Sequence, residues 1–180
     1  GERALKANPQ NPEANWILGR LYSGMAEMPT TRDADRRLYS QRAIANLEKA
    51  NRNAHPGVPM MLGRLYIADN QYDKAVALLV PFVNEQPDQV EAVALLAEAY
   101  QATDRDADAV ALLEKSVVDS PELYSTLGEV YQDQGRWDDA ARAYEGAVQE
   151  RPQFLPLRTQ WATALLNSGD AQRAREVLEE

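Results

Sequence analysis

The chain has 180 residues, of which 44% are hydrophobic and 7% aromatic, and its formal net charge is -9. An acidic chain without clustered Lys and Arg lacks the electrostatic footprint of a nucleic-acid or anionic-lipid binder. The absence of cysteine excludes a disulfide framework, a thiol nucleophile and a cysteine metal site. No apolar run is long enough to cross a membrane and no signal peptide opens the segment, so localisation stays open between cytoplasm and periplasm.

The predicted elements follow from small residues, tyrosines and prolines that recur along the chain. Six pairs of such residues are each separated by 34 positions: Ala75 and Ala109, Ala140 and Ala174, Tyr66 and Tyr100, Pro87 and Pro121, Gly63 and Ala97, and Gly128 and Ala162. A fixed period of this length is typical of stacked two-helix units rather than of one closed globule.

Residues 89–121 show the pattern of one unit most clearly. Apolar residues at three- and four-residue steps from Val93 to Tyr100 predict one buried face of a first helix. Asp104 is expected to cap a second helix, whose apolar face runs from Ala109 to Leu113. Pro121 closes the unit, because proline cannot continue a helix. Each helix has one apolar stripe, which it can bury only against its neighbours.

These motifs resemble the tetratricopeptide repeat, whose pattern is W-x2-L-G-x2-Y, then A-x3-F, then P. The best match is Leu127-Gly128-x2-Tyr131, Ala140, Tyr144 and Pro152, and Leu62-Gly63-x2-Tyr66, Ala75, Leu79 and Pro87 also match. The resemblance implies an all-α fold, a right-handed α-solenoid of antiparallel helix pairs in a single domain over residues 1–180. The expected parts are the end of a preceding repeat at 1–10, a repeat at 11–55 with an insertion at 23–34, repeats at 56–88, 89–121 and 122–152, and a partial repeat at 153–180.

The largest departure from the repeat is the interval from Tyr22 to Ala43, which is twelve residues longer than the matching interval from Tyr66 to Ala75. A second helix is predicted to start near Thr31, to run to about Asn53 and to project beyond its neighbours. Two interpretations remain open for this segment. It docks a partner through the apolar residues Met25, Met28 and Leu38, or it is a tolerated insertion folded back on the scaffold.

Three smaller departures are also visible. The unit after Pro121 is three residues short, and Ser120 is a candidate N-cap with proline at the first helical position. Pro81 lies inside a helical run and is expected to kink it. Trp16 stands one residue later than the family pattern places its tryptophan, a rotation of about 100° around the helix. Its ring is expected either to form a platform on the concave face or to pack on the preceding helix or the insertion.

The resemblance also implies that the first helices line a concave groove, which is where this family binds ligands. The residues expected to face it are Trp16, Arg20, Met60, Arg64, Glu98, Gln101, Glu129, Gln132 and Asp133. Two arginines at one end are suited to bidentate binding of a carboxylate, and the acidic middle favours a basic segment. The predicted partner is therefore a protein or peptide bound by complementary charge. The alternative is that these are solvated charges of an ordinary surface.

The sequence predicts no catalysis. His55 is interpreted as a lone imidazole in a loop, and no phosphate-binding or serine-nucleophile motif is present. The acidic pairs Asp106–Asp108 and Asp138–Asp139 are expected at the starts of second helices, where the helix dipole favours negative charge.

The predicted function is that of a non-catalytic scaffold or adaptor for protein–protein interaction, with no cofactor, no metal and no nucleic acid. One alternative is a self-association module that pairs through an exposed apolar stripe around Val177 and Leu178 in the last repeat. A second is a regulatory recognition domain of a larger protein. A third, binding of a polysaccharide or small ligand, would need more aromatic side chains in the groove than Trp16.

Overall fold

The structure, a computed structural model, describes residues 8–50 and 55–179, and the regular elements of this part of the chain are helical. The helices are α1 (Pro12–Glu27), α2 (Asp33–Leu47), α3 (Val58–Ala68), α4 (Tyr72–Glu85), α5 (Val90–Gln101), α6 (Asp106–Ser116), α7 (Tyr124–Asp133), α8 (Trp137–Glu150), α9 (Leu155–Ser168) and α10 (Ala171–Glu179). A short 3-10 turn, Pro121–Leu123, precedes α7. The predicted all-helical fold class, an α-solenoid of helix pairs, is confirmed.

Consecutive helices pack in pairs, and we call the two members of each pair its first and second helix. Such pairs are α1 with α2, α5 with α6, α7 with α8, and α9 with α10. The chain divides into two compact units, unit 1 over residues 1–82 and unit 2 over residues 83–180. Unit 1 contains α1, α2, α3 and most of α4, whereas unit 2 contains α5 to α10.

Within a pair, a glycine of the first helix lies against a large side chain of the second. A β-carbon built on Gly63 would lie 2.9 Å from Leu79, and one built on Gly19 would lie 2.6 Å from Leu47. The glycine and its partner are 16 residues apart in the first case and 28 in the second. The twelve additional residues of the first pair therefore fall between its two contact points.

The later pairs share one turn geometry between their helices. The first helix ends before a residue with positive φ: Asn70, Asp104, Gly135 or Gly169. The next backbone N–H donates to the carbonyl five residues back, at 2.7 to 2.9 Å: Gln71 to Tyr66, Arg105 to Tyr100, Arg136 to Tyr131, and Asp170 to Leu165. This bond defines a Schellman motif, which satisfies carbonyls at a helix end. The predicted N-cap role of Asp104 is therefore wrong, because its backbone completes this turn and α6 follows Arg105.

The inserted segment is shared between the two helices of the first pair. α1 has 16 residues, whereas α2 has 15, close to the 14 of α4 and of α8. The Thr31 hydroxyl donates to the Met25 carbonyl at 2.7 Å, and Arg36 Nε donates to the Ala26 carbonyl at 3.2 Å. These bonds satisfy carbonyls at the end of α1, where no further helical turn supplies N–H groups.

The prediction that the second helix projects as far as Asn53 is thus wrong. α2 ends at Leu47, and the N–H groups of Lys49 and Ala50 bond to carbonyls three residues back, which tightens the chain into a turn. Residues 51–54 lie outside the described part. Side chains that bond back to α1 favour the folded-back interpretation, while Met28 and Leu38 remain exposed.

Two predictions about helix ends also need correction. The Ser120 side chain makes no cap bond; its backbone carbonyl accepts from Leu123 N–H at 3.0 Å, because the shortened unit leaves room for a 3-10 turn only. Val177 is buried, at 6% exposed, and Leu178 alone of the predicted stripe is exposed, at 60%. Adjacent helix residues point about 100° apart, so Val177 packs toward α9 while Leu178 does not.

Candidate functional site

In unit 1, the predicted site residues lie on the two first helices. Trp16 and Arg20 are four residues apart on α1, and Met60 and Arg64 are four residues apart on α3, so each pair shares one helix face. Both arginines are exposed, and Trp16 and Met60 are half-buried. We call these four residues the α1–α3 surface.

His55 belongs to a side-chain cluster built around Trp16. The two rings are stacked, with centroids 4.4 Å apart and planes inclined by 17°. His55 Nε2 lies 3.0 Å from Glu13 Oε2, and the Arg20 guanidinium carbon lies 5.2 Å from the Trp16 ring centroid. The interpretation of His55 as a lone imidazole is therefore wrong. Trp16 packs between this loop residue and Arg20, which fixes an aromatic ring and a cation side by side.

This cluster could not be found from local spacing, because His55 and Trp16 are 39 residues apart. One partial signal was available. Glu13 and Trp16 are three residues apart on α1 and therefore share a face, so a residue that contacts one is placed to contact the other.

In unit 2, the predicted site residues lie on consecutive first helices. Gln101 Nε2 of α5 donates to Asp133 Oδ2 of α7 at 3.4 Å. Gln160 Nε2 of α9 donates to Glu129 Oε1 of α7, also at 3.4 Å. These bonds join the three helices side by side. We define the α5–α7–α9 surface as Glu98, Gln101, Glu129, Gln132, Asp133 and Gln160. Sequence reasoning missed Gln160, although it lies one turn before Thr163, which shares the register of Glu129.

The α5–α7–α9 surface is acidic. Glu98, Glu129 and Asp133 are exposed, and none of the three forms a salt bridge with a Lys or Arg among residues 8–50 and 55–179. Beneath them, the Tyr144 hydroxyl donates to Gln132 Oε1 at 3.3 Å. Burial raises the pKa of the Tyr144 phenol, and the nearby carboxylates of Glu129 and Asp133 raise it further. These carboxylates therefore create a negative potential that reaches a buried ring.

The acidic pairs at second-helix starts lie where predicted. Asp106 and Asp108 lie in the first turn of α6, and Asp138 and Asp139 lie in the first turn of α8. Burial alone would raise the pKa of Asp139, but hydrogen bonds from Arg136 and Arg142 outweigh it, so the pKa lies below its usual value. Its partners are thus neighbouring side chains, which is a structural role.

Two classes of site can be addressed within the described residues. No group of three or more His, Cys, Asp or Glu side chains in this part of the chain could hold a metal ion. None of the described helices combines the length and apolar character needed to cross a membrane. The chemistry available at both first-helix surfaces is hydrogen bonding, charge and aromatic contact.

Comparison with known proteins places this architecture. Residues 60–123 match one family model and residues 131–180 another, both described as tetratricopeptide repeat, and together they span more than half of the chain. A crystal structure of MamA protein is 22% identical, with a TM-score of 0.64 over 90% of this chain and 88% of that chain. TTC0263, a thermophilic TPR protein in Thermus thermophilus, is 28% identical, with a TM-score of 0.61 over 92% and 87%.

A MamA chain from Desulfovibrio magneticus RS-1 has a TM-score of 0.65 at 17% identity, over 90% of this chain and 92% of that chain. At such identities the likeness to both MamA structures shows the shared fold. No curated protein matches the sequence.

Proposed function

We propose that this chain, which belongs to the tetratricopeptide repeat family, is a non-catalytic protein-interaction module that binds partner segments on the exposed faces of its first helices. The observation that carries the proposal is the pair of bonds Gln101–Asp133 and Gln160–Glu129. Because these bonds set α5, α7 and α9 side by side, their exposed side chains offer one surface longer than any single helix.

The α5–α7–α9 surface is suited to a basic segment. Its three exposed carboxylates have no cationic partner among the described residues, so a bound Lys or Arg would not have to displace one. Charge-assisted bonds between guanidinium and carboxylate groups are stronger than neutral ones and add directional specificity. Complementary charge also raises the association rate, an effect that salt screens.

The α1–α3 surface is suited to an acidic segment or a chain-terminal carboxylate. Arg20 and Arg64 supply guanidinium groups, and Trp16 supplies an aromatic face already held by His55. Tryptophan and arginine are the residue types most often found at binding hot spots, because each combines a large contact area with hydrogen-bond donors. The two surfaces thus differ in the charge of the segment that each would select.

A charge-neutralisation experiment tests the proposal for unit 2. A fluorescein-labelled decapeptide of alternating Arg and Ala is titrated into the full chain, and anisotropy is measured. We expect Glu129→Gln combined with Asp133→Asn to weaken binding by about tenfold at low salt, as each lost charge-assisted bond is worth about 1 kcal/mol at an exposed site.

The matched control is Asp119→Asn combined with Glu150→Gln, which removes two exposed acidic groups of unit 2 outside this surface. We expect the control to change affinity by less than about twofold, because long-range charge is screened by salt. Equal weakening by both double variants would mean that the peptide responds to net charge only, and the proposed site would be wrong.

A further inference from the structure

A tyrosine of the first helix fills the junction between one helix pair and the next. The Tyr66 hydroxyl donates to Glu48 Oε1 at 2.8 Å, and the Tyr131 hydroxyl donates to a carboxylate oxygen of Glu114. Both acceptors belong to the preceding pair, Glu48 directly after α2 and Glu114 on α6. Both rings are buried, so each junction is closed by an aromatic ring whose hydroxyl has an anionic partner.

The last junction, between α8 and the pair α9–α10, lacks this ring. Leu165 lies 34 residues after Tyr131 and occupies its position, and Trp161 occupies that of Leu127. The acceptor is retained, because Glu145 stands five residues after Ala140 as Glu114 stands five after Ala109. The carboxylate is thus present where the hydroxyl that would donate to it is not.

The missing ring leaves space. A cavity of about 750 Å³ opens at this junction, and its wall includes Trp161, Leu165, Glu145, Arg142, Asp170 and Arg173. At the preceding junction, the cavity measures about 390 Å³, and four of its wall residues hold corresponding positions: Leu127, Tyr131, Glu114 and Asp139. The larger volume falls within the range typical of ligand sites.

Two polar features of this cavity call for a polar occupant. The indole N–H of Trp161 is buried and has no hydrogen-bond partner in the described part of the chain, a situation that costs free energy. Glu145 is half-exposed and bonds to Arg173 at 3.2 Å, and a carboxylate has lone pairs for a further donor. The Arg173 guanidinium carbon lies 6.0 Å from the Trp161 ring centroid.

We propose that this cavity receives a tyrosine side chain of a partner protein, whose phenol takes the place that the Tyr131 ring occupies at the preceding junction. The phenol hydroxyl donates to Glu145, as Tyr131 donates to Glu114. The ring covers apolar surface of Leu165 and Trp161, and tyrosine is among the commonest interface anchors because its ring is large and its tip is polar. The cavity shares no residue with the two first-helix surfaces, so this inference stands or falls separately from the proposed function.

The test follows the Trp161 indole N–H of the full chain by NMR, with its signal assigned from a Trp161→Phe variant. Three probes are titrated: the blocked tripeptide Ala-Tyr-Ala, its Phe counterpart, and p-cresol. We expect a saturable shift with the tyrosine tripeptide at a dissociation constant on the order of 1–10 mM, as one side chain allows. The Phe tripeptide should bind at least about fivefold more weakly, because a bond to a charged acceptor is lost.

Variants locate the binding. Leu165→Tyr supplies the missing ring from within the chain and should abolish the shift, whereas Leu166→Tyr, at an exposed neighbouring position outside the cavity wall, should leave it unchanged. Glu145→Gln removes the charge without filling the cavity and should reduce the preference for Tyr over Phe to less than about twofold. This second variant decides the matter if Leu165→Tyr does not fold.

Three results would overturn the proposal. The first is no shift with the tyrosine tripeptide up to about 20 mM, well above the affinity expected for one anchor side chain. The second is unchanged binding to a folded Leu165→Tyr, or an unchanged preference in Glu145→Gln. The third is binding of p-cresol without binding of the tripeptide, which would make the occupant a free phenol rather than a protein segment.

Discussion

The ring of Tyr144 lies so close to Gly128 that a β-carbon built on the glycine would come within 2.7 Å of Tyr144 Cε1. The ring is fully buried, so it cannot move aside without disturbing the packing of α7 on α8. We therefore expect Gly128→Ala to destabilise the protein by about 1–3 kcal/mol, the usual cost of overpacking a core. Urea unfolding followed by circular dichroism measures the change.

Gly24→Ala is the control for this prediction. Gly24 lies inside α1, and a β-carbon built on it would have no atom within 4 Å. Alanine there should stabilise the helix by about 0.5–1 kcal/mol, because glycine is a poor helix former. If both substitutions changed stability in the same direction, the close approach of Tyr144 would not be the cause of the Gly128 effect.

The shared turn predicts opposite effects at two equivalent positions. Gly169 has φ 97° and Asp104 has φ 56°. Gly169→Ala should lower stability by about 1 kcal/mol, because side chains with a β-carbon are strained in this region. Asp104→Gly should raise stability by up to about 1 kcal/mol for the same reason. Thermal unfolding of the two variants checks the signs, and a destabilised Asp104→Gly would show that the aspartate side chain matters more than backbone strain.

The Tyr131–Glu114 bond predicts a stability change at alkaline pH. Burial, together with the hydrogen bond to Glu114, raises the pKa of the Tyr131 phenol to about 12, from an ordinary value of 10.0. The folded state therefore holds this proton more tightly than the unfolded state does. The resulting stabilisation is fully present below pH 10 and is lost as the pH rises toward 12.

A Tyr131→Phe variant isolates this effect. At pH 8 we expect it to be less stable than the parent by about 1 kcal/mol, through loss of the bond to a charged acceptor. This difference should shrink as urea unfolding is repeated at rising pH between 10 and 12. A difference that stays constant over this interval would mean that Tyr131 does not titrate differently in the two states.

The proposed preference of the α1–α3 surface for acidic segments can be tested by charge reversal. Arg64→Glu should weaken binding of a labelled glutamate-rich decapeptide by more than tenfold at low salt, since attraction becomes repulsion. Arg37→Glu makes the same charge change at an exposed position of α2 in the same unit. Fluorescence anisotropy on both variants separates a local contact from net charge: an Arg64→Glu affinity no lower than that of Arg37→Glu would contradict the proposal.

Local spacing was sufficient to predict the helix pairs and the small residues between their helices. Gly63, Gly128 and their equivalents recur at a regular interval, because one repeated packing contact admits only a small residue at that position. The apolar steps from Val93 to Tyr100 likewise predicted one buried face, since helical geometry ties spacing to direction. Such features depend on residues a few positions apart, so the sequence expresses them directly.

Helix ends and the contents of each site depended on residues far apart in the chain. The end of α2 and the fold of the insertion follow from bonds that Thr31 and Arg36 make back to α1. The stacking of His55 on Trp16 depends on the path of a loop between helix pairs. The cavity beside Leu165 exists because a ring is missing where a neighbouring pair has one, and only packing shows whether other side chains close the space.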